Sequence, residues 1–95
     1  MKIKPGHVTF RSASPYYRME RDGSKPNTVR VVPLHMADAL IACRTITVLS
    51  VETDEGFTRD ITSVLDATYT LWRCGVTVPD DSALFIISWA HPAGA

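Results

Sequence analysis

The chain has no long hydrophobic run, only two cysteines and no surplus of either charge. No stretch approaches the roughly 18 apolar residues expected of a membrane-spanning helix. The opening MKIKPGHVTF also lacks the apolar core of a signal peptide. These features predict a cytoplasmic protein without a membrane partner. Cys43 and Cys74 are then expected as free thiols, since two cysteines do not make a disulfide framework. A zinc site drawn from Cys43, Cys74, His35 and His91 fails on spacing, because neither Cys-x-x-Cys nor His-x-x-x-His occurs. No metal or other cofactor is expected.

Ten basic and ten acidic side chains cancel. That balance argues against a protein that coats duplex nucleic acid by bulk electrostatics, but it leaves room for a pocket that takes one nucleotide. Repeats, low-complexity tracts and long linkers are missing too, so residues 1–95 read as one domain. A chain of this length buries somewhat over ~60% of its unfolded surface, enough for one modest core.

What is present is a series of short elements. HVTF, from His7, reads as a strand. Ser14 followed by Pro15 signals a helix start, and Gly23 sits where a left-handed residue would end it. Tyr16, Met19 and Glu20 fall on one face of that helix, with Tyr17 beside it, so aromatic residues are expected to dock it. Pro26 then forces the chain to extend. In TVRVV, Thr28 and Arg30 share one face of a strand, and Val29 and Val31 share the other, which is expected to meet the core. PLHMADALIAC has helical spacing opened by Pro33. RTITVLSVE and FTRDITSVL read as antiparallel strands around TDEG, with Gly56 expected at a positive φ. The apolar phase changes from Ile46 and Val48 to Leu49 and Val51, which suggests a bulge or a bend at a barrel corner. In DATYTLWRCG, Asp66 could cap a helix ending at Gly75, but Thr68, Tyr69 and Thr70 favour strand or loop. ALFIISWA reads as a central strand buried on both faces, and HPAGA, residues 91–95, as a frayed tail.

About five strands with two or three short helices, in no regular βαβ order, predict an α+β fold. A small, partly closed β-barrel is the economical packing, because closure removes exposed strand edges.

One stretch carries more. GSKPNTVRVV contains Gly23-x-Lys25-x-x-Thr28-x-Arg30, which resembles the G-x-K-x-x-[E/T]-x-R signature of ASCH domains, in the PUA-like superfamily. It follows a short helix and enters a strand, as in that family, and the chain ends in the hydrophobic strand LFIISW. With Thr at the variable position it is most similar to small ASCH proteins such as the bacterial acetylcytidine amidohydrolases. The Gly-Asp pair that many members carry soon after the signature is replaced here by HMADALIACRT.

The resemblance implies a nucleotide-, modified-nucleoside- or single-stranded-RNA-binding pocket, with Gly23, Arg30 and Tyr17 as binding residues. It also implies a catalytic alternative, an amidohydrolase with Thr28 as nucleophile, Lys25 as its base and a downstream carboxylate. A hydroxyl needs such a base, and a lysine serves only if its pKa is lowered. No glutamate falls in the helical segment where the family's third residue lies. Asp60 and Asp66 are substitutes in kind only, so a binding module is the preferred reading. A small phage or mobile-element protein that binds a host protein is a third. Structural roles compete at each position: Lys25 as a solvated turn residue, Thr28 as a strand former, Arg30 paired with Asp60, and Tyr16, Tyr17, Trp72 and Trp89 as packing. His7, His35 and His91 show no partner spacing.

Overall fold

The computed structural model describes residues 1–90 and shows a small mixed α+β protein: six strands curled into a half-barrel, with three helices. The strands are β1 (Lys2–Lys4), β2 (His7–Ser12), β3 (Asn27–Pro33), β4 (Thr45–Ser50), β5 (Gly56–Asp66) and β6 (Ser82–Trp89). The helices are α1 (Tyr16–Asp22), α2 (Leu34–Ile41) and α3 (Thr68–Arg73). The sheet runs β1-β2-β4-β5-β6-β3. Only β2 and β4 pair in parallel. The sixth strand is β1, which KIK was too short to signal; it hairpins onto β2, with Ile3 opposite Val8.

The interior is filled by alternate residues of each strand. Val8 and Phe10 of β2, Ile46 and Val48 of β4, Phe57 of β5, and Phe85, Ile87 and Trp89 of β6 are all buried. Tyr17 of α1 meets the Phe57 ring at 5.7 Å, and Phe57 meets Trp89 at 6.0 Å. Leu40 anchors α2 at the other end of the core.

Several sequence expectations change here. On β3 the alternation holds but the faces are exchanged: Val29 and Val31 are exposed, while Thr28 and Val32 are buried. The buried Thr28 hydroxyl is tolerated inside because it is hydrogen-bonded, accepting from Arg30 Nε. On α1 the buried residues are Tyr17 and Glu20, whereas Tyr16 and Met19 face out. No side chain caps this helix, and the Ser14 amide instead donates to Glu52. Gly23 does take the left-handed conformation that ends it, at φ 89°.

In the β4–β5 turn the positive φ belongs to Asp54, at 59°. Gly56 answers a different demand, since a Cβ there would lie 2.5 Å from Leu49 Cδ2 and 3.0 Å from the Val48 carbonyl oxygen. The irregularity expected in β4 lies in β5, between Ile61 and Ser63; β4 itself alternates regularly to Ser50. Within DATYTLWRCG only Thr68–Arg73 is helical; Asp66 is the last residue of β5, and its carboxylate accepts from the Thr68 amide. On β6 the outer face is closed only at Leu84, below α3, while Ile86 and Ser88 are half-buried. The HPAGA segment lies outside the described residues.

No helix among the described residues is long and apolar enough to cross a membrane. Cys43 is buried, Cys74 is exposed, and both are free thiols. Among the described residues no cluster of His, Cys, Asp and Glu could hold a metal ion.

Candidate functional site

The edge strands of the sheet are β1 and β3. Because β1 pairs only with residues 7–9 of β2, the Ser12 end of β2 is left across the open side from β3, and the polar face of β3 looks into that opening. Thr28 and Arg30 point inward because they share the strand face of Val32, which is fully buried. The Arg30 guanidinium reaches across the gap. Its Nη2 donates to Ser12 Oγ on β2 at 2.6 Å, its Nε donates to Thr28 Oγ1 at 2.9 Å, and its Cζ lies 4.9 Å from the centre of the Phe10 ring. Burial lowers the Arg30 pKa from its usual value, and the charge of Glu20 works against that shift. An arginine starts so high that it stays protonated. The expected pairing with Asp60 does not form, because Arg30 faces the interior and Asp60 lies opposite Thr45 on β4.

Lys25 precedes β3 and turns back onto α1. Its Nζ donates to Glu20 Oε2 at 3.3 Å and to the Asn27 carbonyl at 2.8 Å. The Lys25 side chain is 27% exposed and that of Glu20 only 2%. Glu20 Oε1 is buried and has no hydrogen-bond partner. Tyr17 Oη, Arg59 Nε and Trp89 Nε1 are buried without a partner as well, and an unpaired buried polar group is costly. Tyr16 stands at the rim, with its ring centre 5.8 Å from Lys25 Nζ.

These groups surround one open cavity of about 420 Å³, lined by Arg11, Ser12, Ala13, Tyr16, Glu20, Lys25, Thr28, Val29 and Arg30. That volume lies within the range of about 300–1,000 Å³ usual for small-molecule sites. The structure thus brings Lys25, Thr28 and Arg30 together. Gly23 shapes the approach as the end of α1 but does not line the cavity. Tyr17 does not line it either: it is buried and packs in the core on Phe57. Asp60 and Asp66 are not among the lining residues.

Sequence reasoning missed Ser12, Tyr16 as the rim aromatic and, above all, Glu20. The signal for Glu20 was present: one acid at helical spacing on a face otherwise read as docking. The resemblance implies a carboxylate downstream of the signature, whereas Glu20 lies five residues upstream of Lys25.

The two hydrogen bonds of Lys25 Nζ go to Glu20 and to the Asn27 carbonyl, and none joins it to Thr28. Thr28 is 3% exposed, and its oxygen already accepts from Arg30. No family model matches the chain, and neither curated proteins nor solved structures yield a match.

Proposed function

We propose that the chain is an ASCH-like pocket protein that binds a nucleotide, a modified nucleoside or a base of a short single-stranded RNA. In this reading the base enters between β2 and β3. Its hydrogen-bonding edge meets Glu20, Lys25 and Arg30, and Tyr16 covers its face. Flipped or unpaired bases offer both an edge to read and a face to stack, which buried polar groups beneath a rim aromatic can use. The absence of net charge suits a small ligand or short strand better than long duplex.

The observation that carries the proposal is that the carboxylate residue Glu20, the amine residue Lys25 and the guanidinium residue Arg30 line one open cavity, with Tyr16 at its rim. The test is equilibrium binding of a panel of nucleosides, nucleotides and short oligoribonucleotides to the wild type and to Glu20→Gln. Saturable binding that weakens at least about tenfold in the variant supports the proposal, as expected when a charged acceptor is lost. Failure of every panel member to bind contradicts it.

One observation favours a second reading, amidohydrolysis of an acylated nucleoside with Thr28 as nucleophile and Lys25 as base. Glu20, 3.3 Å from Lys25, supplies the third group that the sequence did not place. Incubation with acetylcytidine decides it: turnover abolished by Thr28→Val supports the enzyme, and no turnover, or a rate unchanged by Thr28→Val, excludes it.

A further inference from the structure

The core does not use the aromatic residues of α3. Tyr69 and Trp72 remain 68% and 60% exposed, and no residue of this helix is buried. The two rings stack on each other, with centres 6.0 Å apart and planes at 29°. Beside them Val76 is 44% exposed. An open groove of about 830 Å³ runs between α3 and the loop that leads to β6, with Asp66, Tyr69, Trp72, Val76, Pro79 and Asp80 in its wall.

The charge of the groove is of one sign. Asp66 and Asp80 both line it, and among the described residues no lysine, arginine or histidine does. Asp66 keeps its charge well, because the Thr68 hydroxyl, and then the Thr68 amide, holds its carboxyl below the usual aspartate range. Both of those bonds fall on Oδ1, at 2.6 and 3.0 Å, which leaves Oδ2 for a ligand. An aromatic face binds a cation through its quadrupole, with tryptophan the best of the three rings, and neighbouring carboxylates add to that attraction. The same carboxylates repel phosphate, so a nucleic-acid strand is disfavoured here.

We propose that the α3 groove is a docking site for a basic peptide segment of a partner protein, with an arginine or lysine side chain laid over Tyr69 and Trp72 between Asp66 and Asp80. The groove is larger than one cationic head group requires, which fits an extended segment with its aliphatic stem against Val76 and Pro79. This surface is separate from the cavity between β2 and β3, and the proposal does not depend on what that cavity binds.

The test is titration of the full chain with a blocked tetra-arginine peptide, followed by tryptophan fluorescence. Trp89 is 3% exposed, so a change in emission reports Trp72. The expected result is saturable binding that is lost with the neutral tetra-citrulline counterpart. Calorimetry is expected to show affinity weakened at least about tenfold by Trp72→Ala and clearly weakened by Asp80→Asn, both exposed positions, and unchanged by Val31→Ala, at an exposed residue outside both cavities. Absence of saturable binding, equal affinity for the citrulline peptide, or wild-type affinity in Trp72→Ala would overturn the proposal. So would tighter binding of an oligouridylate than of the arginine peptide in the same groove.

Discussion

Arg30 on β3 is hydrogen-bonded through Nη2 to Ser12 Oγ on β2, 2.6 Å away across the open side of the half-barrel. No backbone ladder joins these two strands. One side chain therefore both spans the seam and lines the cavity, and its planar fork also holds the Thr28 hydroxyl. Lysine cannot reproduce that fork. Arg30→Lys is expected to destabilise the fold by about 1–3 kcal/mol, the range for losing hydrogen bonds to a charged group and leaving buried hydroxyls unpaired. Urea unfolding followed by circular dichroism measures this, and a loss within error of zero would show that the seam does not need the guanidinium.

The Lys25–Glu20 pair is unequal, with the carboxylate much the more buried partner. Removing the lysine therefore harms more than removing the acid. Lys25→Met removes the cation paired with Glu20 and leaves only the more distant Arg30 to face that carboxylate, so it is expected to cost about 1–3 kcal/mol. Glu20→Gln is expected to cost less, and the double variant is expected to recover most of the loss in Lys25→Met. A double-mutant cycle in denaturant melts checks both the order and the recovery; additive losses would contradict it.

Gly56→Ala places a Cβ against Leu49 and, less forgivingly, against the backbone carbonyl of Val48. Backbone has to shift to admit it, so a loss of about 1–3 kcal/mol is expected, as for overpacked sites. Thermal melts of this variant test it. Asp54→Gly, at the residue that holds the positive φ, is not expected to cost backbone energy.

The folded state holds the Glu52 carboxyl below its ordinary value of 4.5, chiefly because the Ser14 amide donates to it and secondly because the Ser50 hydroxyl does. A lowered carboxyl pKa stabilises the fold above the unfolded value, and that contribution disappears as pH falls through the folded value. The stability gap between wild type and Glu52→Gln is therefore expected at neutral pH and expected to close on acidification below the ordinary carboxylate range. Denaturant midpoints measured across that pH range check the sign, and a gap that widens in acid would contradict it.

Much of the chain's order was legible because local signals were strong. Gly23 ends α1 as its position suggests, Pro33 opens α2, and the hairpin around TDEG pairs as read. What was not legible was which way β3 faces. Period-two alternation says that Thr28 travels with Arg30, but either pair of faces could be the inner one, and valines are poor guides on an edge strand. Only the curl of the sheet, a long-range property, makes the polar face the inside. The same property moved Glu20 from a helix surface to the floor of a cavity and left Tyr17, chosen as a binding residue, in the core while its neighbour Tyr16 took the rim. A spacing rule could assemble Lys25, Thr28 and Arg30, but it could not bring in Ser12 from another strand.

The central claim is that the cavity between β2 and β3 receives a base edge at Glu20 and Arg30. Its most direct test is a nuclear magnetic resonance titration of the nitrogen-labelled chain with nucleosides and short oligoribonucleotides, observing the Arg30 Nε–H resonance. The expected result is a saturable shift of that resonance together with the amides of Ser12 and Thr28. Saturable binding that leaves Arg30 Nε–H, Ser12 and Thr28 unmoved would contradict the claim.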